Sequence, residues 1–135
     1  MHPLTRADLL GVWTLERFIV HRRNGEDFEW PGAQSGTLIY TADGYVSVAQ
    51  NREPLANPSV ADRARTANFY TGTWQLDLEN GTVVHTPLQS SAPSIIGIPA
   101  IRTVRLDPDG RLWLSGAGLQ ERVTLVWRRP RPAPE

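Results

Sequence analysis

At 135 residues and 15.1 kDa the chain fits one domain and leaves no room for a second, cofactor-binding unit. Its formal net charge is +0 and all 14 basic residues are Arg, so no broad cationic face is expected to draw nucleic acid. Cysteine is absent, which removes disulfides, thiolate metal sites and Cys nucleophiles together.

Thr5-Arg6-Ala7-Asp8 has the spacing of a capping box and predicts one helical turn ending at Leu10-Gly11, placed to plug one end of a barrel. Val12–Arg22 reads as a long strand, with Trp13, Leu15, Arg17 and Ile19 on one face and Val12, Thr14, Glu16, Phe18 and Val20 on the other. It opens the first and weakest of four hairpins, which turns around Asn24-Gly25. The second, Gly36–Asn51, is the strongest and turns at Asp43-Gly44. Pro54 and Pro58 then forbid a regular strand, and Ser59 with Asp62 can cap one short helix near residues 60–69. The third hairpin, Gly72–Gln89, turns at Asn80-Gly81. Ser90–Ala100 is an apolar loop carrying Ile95, Ile96 and Ile98, either tucked against the barrel or acting as a lid. The fourth hairpin, Ile101–Ser115, turns at Asp107–Gly110, where Pro108 and Gly110 suit a type I turn closed by a bulge. Arg122–Arg129 can pair with the first strand, and residues 130–135 form a Pro-rich tail.

Hairpins in series make a meander, and a sheet of that many strands removes its edges by closing. The expected architecture is all-β: an up-and-down antiparallel barrel of 8–10 strands in a single domain over residues 1–129. No apolar run approaches the ~18 residues of a membrane span or the ~7–15 of a secretory signal, so a cytoplasmic protein with no membrane partner is expected.

Several stretches carry a resemblance when taken in order: Gly-x-Trp at Gly11–Trp13, LIYTADGYVS at Leu38–Ser47, NFYTGTW at Asn68–Trp74, NGTVVH at Asn80–His85, Gly97 followed by Arg102, and TLVWRR at Thr124–Arg129. Together they resemble the small bacterial lipocalin-like domain family, over roughly Leu10 to Arg129. The resemblance implies a calycin-type barrel whose lumen holds a small molecule, with Trp13 packed across its base under Arg128 in a cation–π contact. Two departures are Ala92–Ile96, where a Trp-rich segment is usual, and Arg17, where a small or uncharged residue is usual.

His85 is the acid–base candidate, because imidazole titrates near neutral pH. Its direction depends on the third turn. A three-residue loop pairs Gln75 with His85 and turns it outward with Asp77, whereas a four-residue loop opposes it to Trp74 and builds a wall of Trp74, Leu76, Val83 and His85. Arg102 is in phase with Val104 and Leu106; an inward guanidinium needs an answering anion, either a ligand carboxylate, enolate or phenolate or an internal ion pair, unless a bulge turns it to solvent. Arg17, in phase with Trp13 and Leu15, admits the same logic, but a solvated rim position is the reading preferred for it. Tyr40, Tyr70, Ser47 and Gln50 can hydrogen-bond a ligand, and Trp74 can line it. His2, His21 and His85 have no metal-binding spacing, and the glycines sit in turns, so no metal and no cofactor is expected.

The functional expectation is a lumen for a small hydrophobic or aromatic, oxygenated metabolite. His85 and Arg102 would then serve a cofactor-independent isomerase or cyclase of secondary metabolism, by holding a reactive conformer and stabilising negative charge. The rivals are a non-catalytic binding, carrier or sensor protein, and a filled structural barrel whose Ile95–Ile98 loop is an interface. A homodimer is left open as an assembly.

Overall fold

The computed structural model describes residues 3–23, 25–30, 34–52, 67–117 and 121–131. In chain order these form α1 (Arg6–Leu9), β1 (Gly11–His21), β2 (Asp27–Glu29), β3 (Gln34–Tyr40), β4 (Tyr45–Arg52), β5 (Ala67–Asp77), β6 (Thr82–Ser90), a 3-10 turn (Pro93–Ile95), β7 (Ala100–Leu106), β8 (Leu112–Ala117) and β9 (Arg122–Arg128). All neighbours are antiparallel in the order β2-β1-β3-β4-β5-β6-β7-β8-β9, and β1 also pairs with β9, so eight strands close on themselves and β2 is an extra strand on the far half of β1. The expected helix near residues 60–69 ends in a correction: 67–69 belong to β5, while 60–66 lie outside the described residues.

Turn chemistry sets the registers. Tyr40 pairs with Val46, so the second hairpin has a three-residue loop ending at Gly44 in the left-handed region. Asp77 pairs with Thr82, so the third has the four-residue loop Leu78–Gly81, and Trp74 faces His85. In the fourth, the Gly110 amide donates to the Asp107 carbonyl at 2.9 Å and the Asp107 amide to Arg111 at 2.9 Å, the type I turn and bulge that Pro108 and Gly110 predict.

Two features depart from simple alternation. β1 advances from Leu15 opposite Trp127 to Arg17 opposite Val126, so Glu16 is the extra residue of a bulge. Beyond it the faces exchange: Phe18 stands opposite inward Leu125, and Arg17 moves to the outer wall. The second is at the base of the barrel. Leu9 of α1 is fully buried, and its carbonyl accepts the Trp13 indole N–H at 2.9 Å. The cation over Trp13 is Arg129 and not the expected Arg128: its guanidinium lies 3.7 Å from the ring centroid and donates to the Val12 and Asp8 carbonyls, whereas Arg128 turns to Glu16. Gly11 is required here twice, by its φ of +100° and because a Cβ would crowd Arg129.

The barrel also closes around Gly72, where the β5–β6 register shifts. A Cβ there would overlap the Thr86 carbonyl oxygen and stand 2.8 Å from Pro87 Cα, both backbone atoms of the neighbouring strand. Gly72→Ala is therefore expected to destabilise the fold by about 3 kcal/mol, lowering the melting temperature by roughly 10 °C in a thermal scan. An unchanged melting temperature would mean the β5–β6 bulge absorbs the methyl group.

Candidate functional site

The inner face of the barrel is apolar at the base and polar across one belt. Consecutive strands supply that belt: Tyr40 from β3, Gln50 from β4, Tyr70 from β5, His85 from β6 and Arg102 from β7. Each side chain comes inward because its strand alternates about a fixed register, with Gln50 opposite Asn68, Val48 opposite Tyr70, Trp74 opposite His85 and Val83 opposite Arg102. Gln50 is thus a diagonal neighbour of Tyr70, and Arg102 of His85.

His85, 2 % exposed, bridges the two tyrosines: Tyr40 Oη lies 2.6 Å from Nε2, and Tyr70 Oη lies 2.7 Å from Nδ1. Burial, and secondarily the positive charge of Arg102, lowers the imidazole to about 3, so the ring is neutral across the physiological range. Burial pushes Tyr70 up to about 12 and Tyr40 well above its ordinary value, with Arg102 pulling both the other way, so both phenols keep their protons. Three groups then hold three protons and share two hydrogen bonds, which leaves one O–H unspent. Trp74 packs on Tyr40 with centroids 4.6 Å apart and donates its indole N–H to the Thr41 carbonyl.

Arg102 lies across Gly116 of β8, where a Cβ would overlap the guanidinium, and Nη1 donates to the Ala117 carbonyl at 3.1 Å. Among the described residues no carboxylate pairs with Arg102, and none projects from the inner face of a strand. Gln50 is 2 % exposed and its Nε2 has no partner, and Gln34 Oε1 on β3 is also unpartnered. Toward the opposite end from Trp13, Arg52 stacks over Phe18 at 4.4 Å and Trp30 at 5.1 Å.

Of the residues singled out from the sequence, Trp74, Tyr40, His85 and Tyr70 form one chain of contacts in that order, with Gln50 and Arg102 beside it. Arg17 and Ser47 do not join. The bulge at Glu16 puts Arg17 outside, where it pairs with Glu29 at 2.6 Å, and Ser47 lines an outer groove of about 310 Å³ with Ile39, Tyr45, Thr71 and Leu88. That groove lies on the opposite face of the wall from the buried chain. Ile96 and Ile98, next to the 3-10 turn, are largely exposed, so they are not tucked under the barrel. Sequence reasoning missed Gly116, although a lone glycine inside a strand pattern signals a close approach by another group. Among the described residues no group of three or more His, Asp or Glu could hold a metal ion.

Fold and site together define a closed antiparallel β-barrel with a polar, tyrosine-flanked histidine in its interior. The chain belongs to the lipocalin-like domain family, whose model matches residues 10–129. Among solved structures it is similar to a redesigned β-barrel, at 11% identity over 93% of this chain and 94% of that one, with a TM-score of 0.47. No curated protein matches it. A lipocalin-like barrel points to the binding of a small molecule.

Proposed function

We propose that the lumen binds a small, largely apolar oxygenated metabolite and acts on it as a cofactor-independent isomerase or cyclase of secondary metabolism. The carrying observation is the Tyr40–His85–Tyr70 chain beside Arg102, a polar group set inside an apolar barrel. Both imidazole nitrogens are engaged and the ring is neutral, so His85 is not a free base. No carboxylate faces inward among the described residues to replace it. The chemistry this favours needs no proton abstraction from carbon: the walls hold a folded conformer while Tyr70 and Arg102 stabilise negative charge growing on a ligand oxygen. His85 holds Tyr70 in place.

The alternative is a carrier or sensor, supported by the same absence of a base. Incubating the protein with an apolar small-molecule extract of the source cells separates the two. Catalysis converts one chromatographic peak into another of identical mass, and Arg102→Met and Tyr70→Phe slow that conversion tenfold or more. A carrier retains one compound unchanged. Neither conversion nor retention would end the small-molecule reading.

A further inference from the structure

The unspent proton of the belt has an identifiable owner. Neutral His85 accepts a hydrogen bond at one nitrogen and donates at the other, so one tyrosine donates to the ring and the other receives from it. Tyr40 is 1 % exposed, is packed on Trp74, and has His85 as its hydrogen-bond partner. Were Tyr40 the receiver, its own O–H would be stranded in an apolar core. Tyr70 is partly exposed and sits two register pairs from the polar Gln50–Asn68 pair, on the same face. Tyr40 therefore donates to Nε2, Nδ1–H donates to Tyr70 Oη, and the Tyr70 O–H turns to the lumen.

Two further donors neighbour it on the same inner wall. Gln50 Nε2 is deeply buried without a partner, and the Arg102 guanidinium spends one N–H on Ala117 and meets no carboxylate among the described residues. Three donors on β4, β5 and β7 stand around one stretch of inner wall. Gln34 Oε1, an unpartnered acceptor on β3 in phase with Gly36 opposite Gln50, suits a ligand hydroxyl.

We propose that this belt is a head-group site for an oxyanion, a carboxylate, enolate or phenolate, received by Tyr70 Oη–H, Gln50 Nε2–H and the Arg102 guanidinium, with the apolar remainder of the ligand toward Trp74. This rests on the reading of the lumen as a small-molecule site and adds the charge and polarity of what enters. His85 is a positioning residue that sets which tyrosine offers its proton, and Gly116 is the space that lets Arg102 lie along the wall.

The test uses two fluorescent probes with one skeleton, 8-anilinonaphthalene-1-sulfonate and its uncharged counterpart N-phenyl-1-naphthylamine. The sulfonate is expected to bind the folded protein at least tenfold more tightly. Arg102→Met brings the two within twofold, Tyr70→Phe removes part of the preference, and Arg105→Met on the outer wall leaves it unchanged. Gly116→Ala displaces the guanidinium and reduces the preference while Arg102 is still present. Equal binding of both probes, or a preference that survives Arg102→Met, overturns the proposal and leaves the small-molecule reading standing. Binding of neither overturns both. Nitrogen-15 spectra of the imidazole give a separate readout: a proton on Nδ1 is expected, and a proton on Nε2 would assign the free O–H to Tyr40 and overturn the role given to Tyr70.

Discussion

Trp13→Ala is expected to destabilise the fold strongly, moving its urea midpoint far below that of the parent. The indole is 1 % exposed at the base of the barrel, and truncating a buried aromatic to Ala costs about 3–5 kcal/mol, a large part of the roughly 5–15 kcal/mol by which a domain this size is stable. The loss does not stop at the cavity. The Leu9 carbonyl loses its donor, and Arg129, whose side chain spans the Val12 and Asp8 carbonyls over the ring, loses the surface it lies on. Trp13→Phe keeps an aromatic face for Arg129 and is expected to cost less, about 1–2 kcal/mol, mostly for the unsatisfied carbonyl and the smaller ring. Urea unfolding curves of the three proteins decide the matter. A Trp13→Ala midpoint within error of the parent would show that α1 and Arg129 do not depend on the indole.

The second large effect is one of pH. Because His85 titrates at about 3 in the folded barrel and near the ordinary 6.5 when unfolded, the unfolded chain takes up a proton between those values that the folded one refuses. Stability therefore rises with pH through that window, by at most about 1.4 kcal/mol per unit, and this contribution is flat above it. From pH 6.5 to 4.5 the parent is expected to lose about 2–3 kcal/mol more than a His85→Gln variant, whose chain has no imidazole at this position. The variant is less stable at neutral pH, since Tyr40 loses its acceptor, so the quantity to compare is the slope of stability with pH. Parallel slopes would mean that position 85 takes up a proton in the folded state.

Strands and turns were largely legible because they rest on local chemistry. Gly44, Gly81 and Gly110 sit at turn positions with positive φ, and Thr5 and Asp8 meet at the start of α1, where the Thr5 amide donates to the Asp8 carboxylate at 2.8 Å. Registers were less legible, since a loop of three or four residues is compatible with the same letters and a one-residue slip reverses every side chain. For His85 the choice decided whether it faces Trp74 or solvent. Alternation puts Arg17 in phase with Trp13 and Leu15, and the phase breaks for a non-local reason: the bulge at Glu16 arises where β1 meets β9, more than a hundred residues away in the chain. It leaves Arg17 in the solvated position that is the preferred reading for it. The neighbouring Arg128 and Arg129 show the limit of motif reading, because alternation sends one to Glu16 and the other across Trp13, and only closure of the sheet decides which. Within the site, the residue types were visible while their contacts were not, because Tyr40, Tyr70 and His85 meet through three different strands.

The double engagement of β1 has a consequence for how the protein is made. β1 bonds to β3 along one edge and to β9 along the other, pairing Thr14 with Arg128 and His21 with Arg122. During synthesis the meander from β3 to β8 can assemble as it emerges, but the seam stays open until β9 has been made. Over that interval β1 and β8 each present an unpaired edge, and the apolar inner wall faces water, which are the features that recruit chaperones or lead to edge-to-edge association. The β1–β9 pairing that closes the barrel is thus the most non-local of the sheet, the kind of pairing that slows β-proteins most.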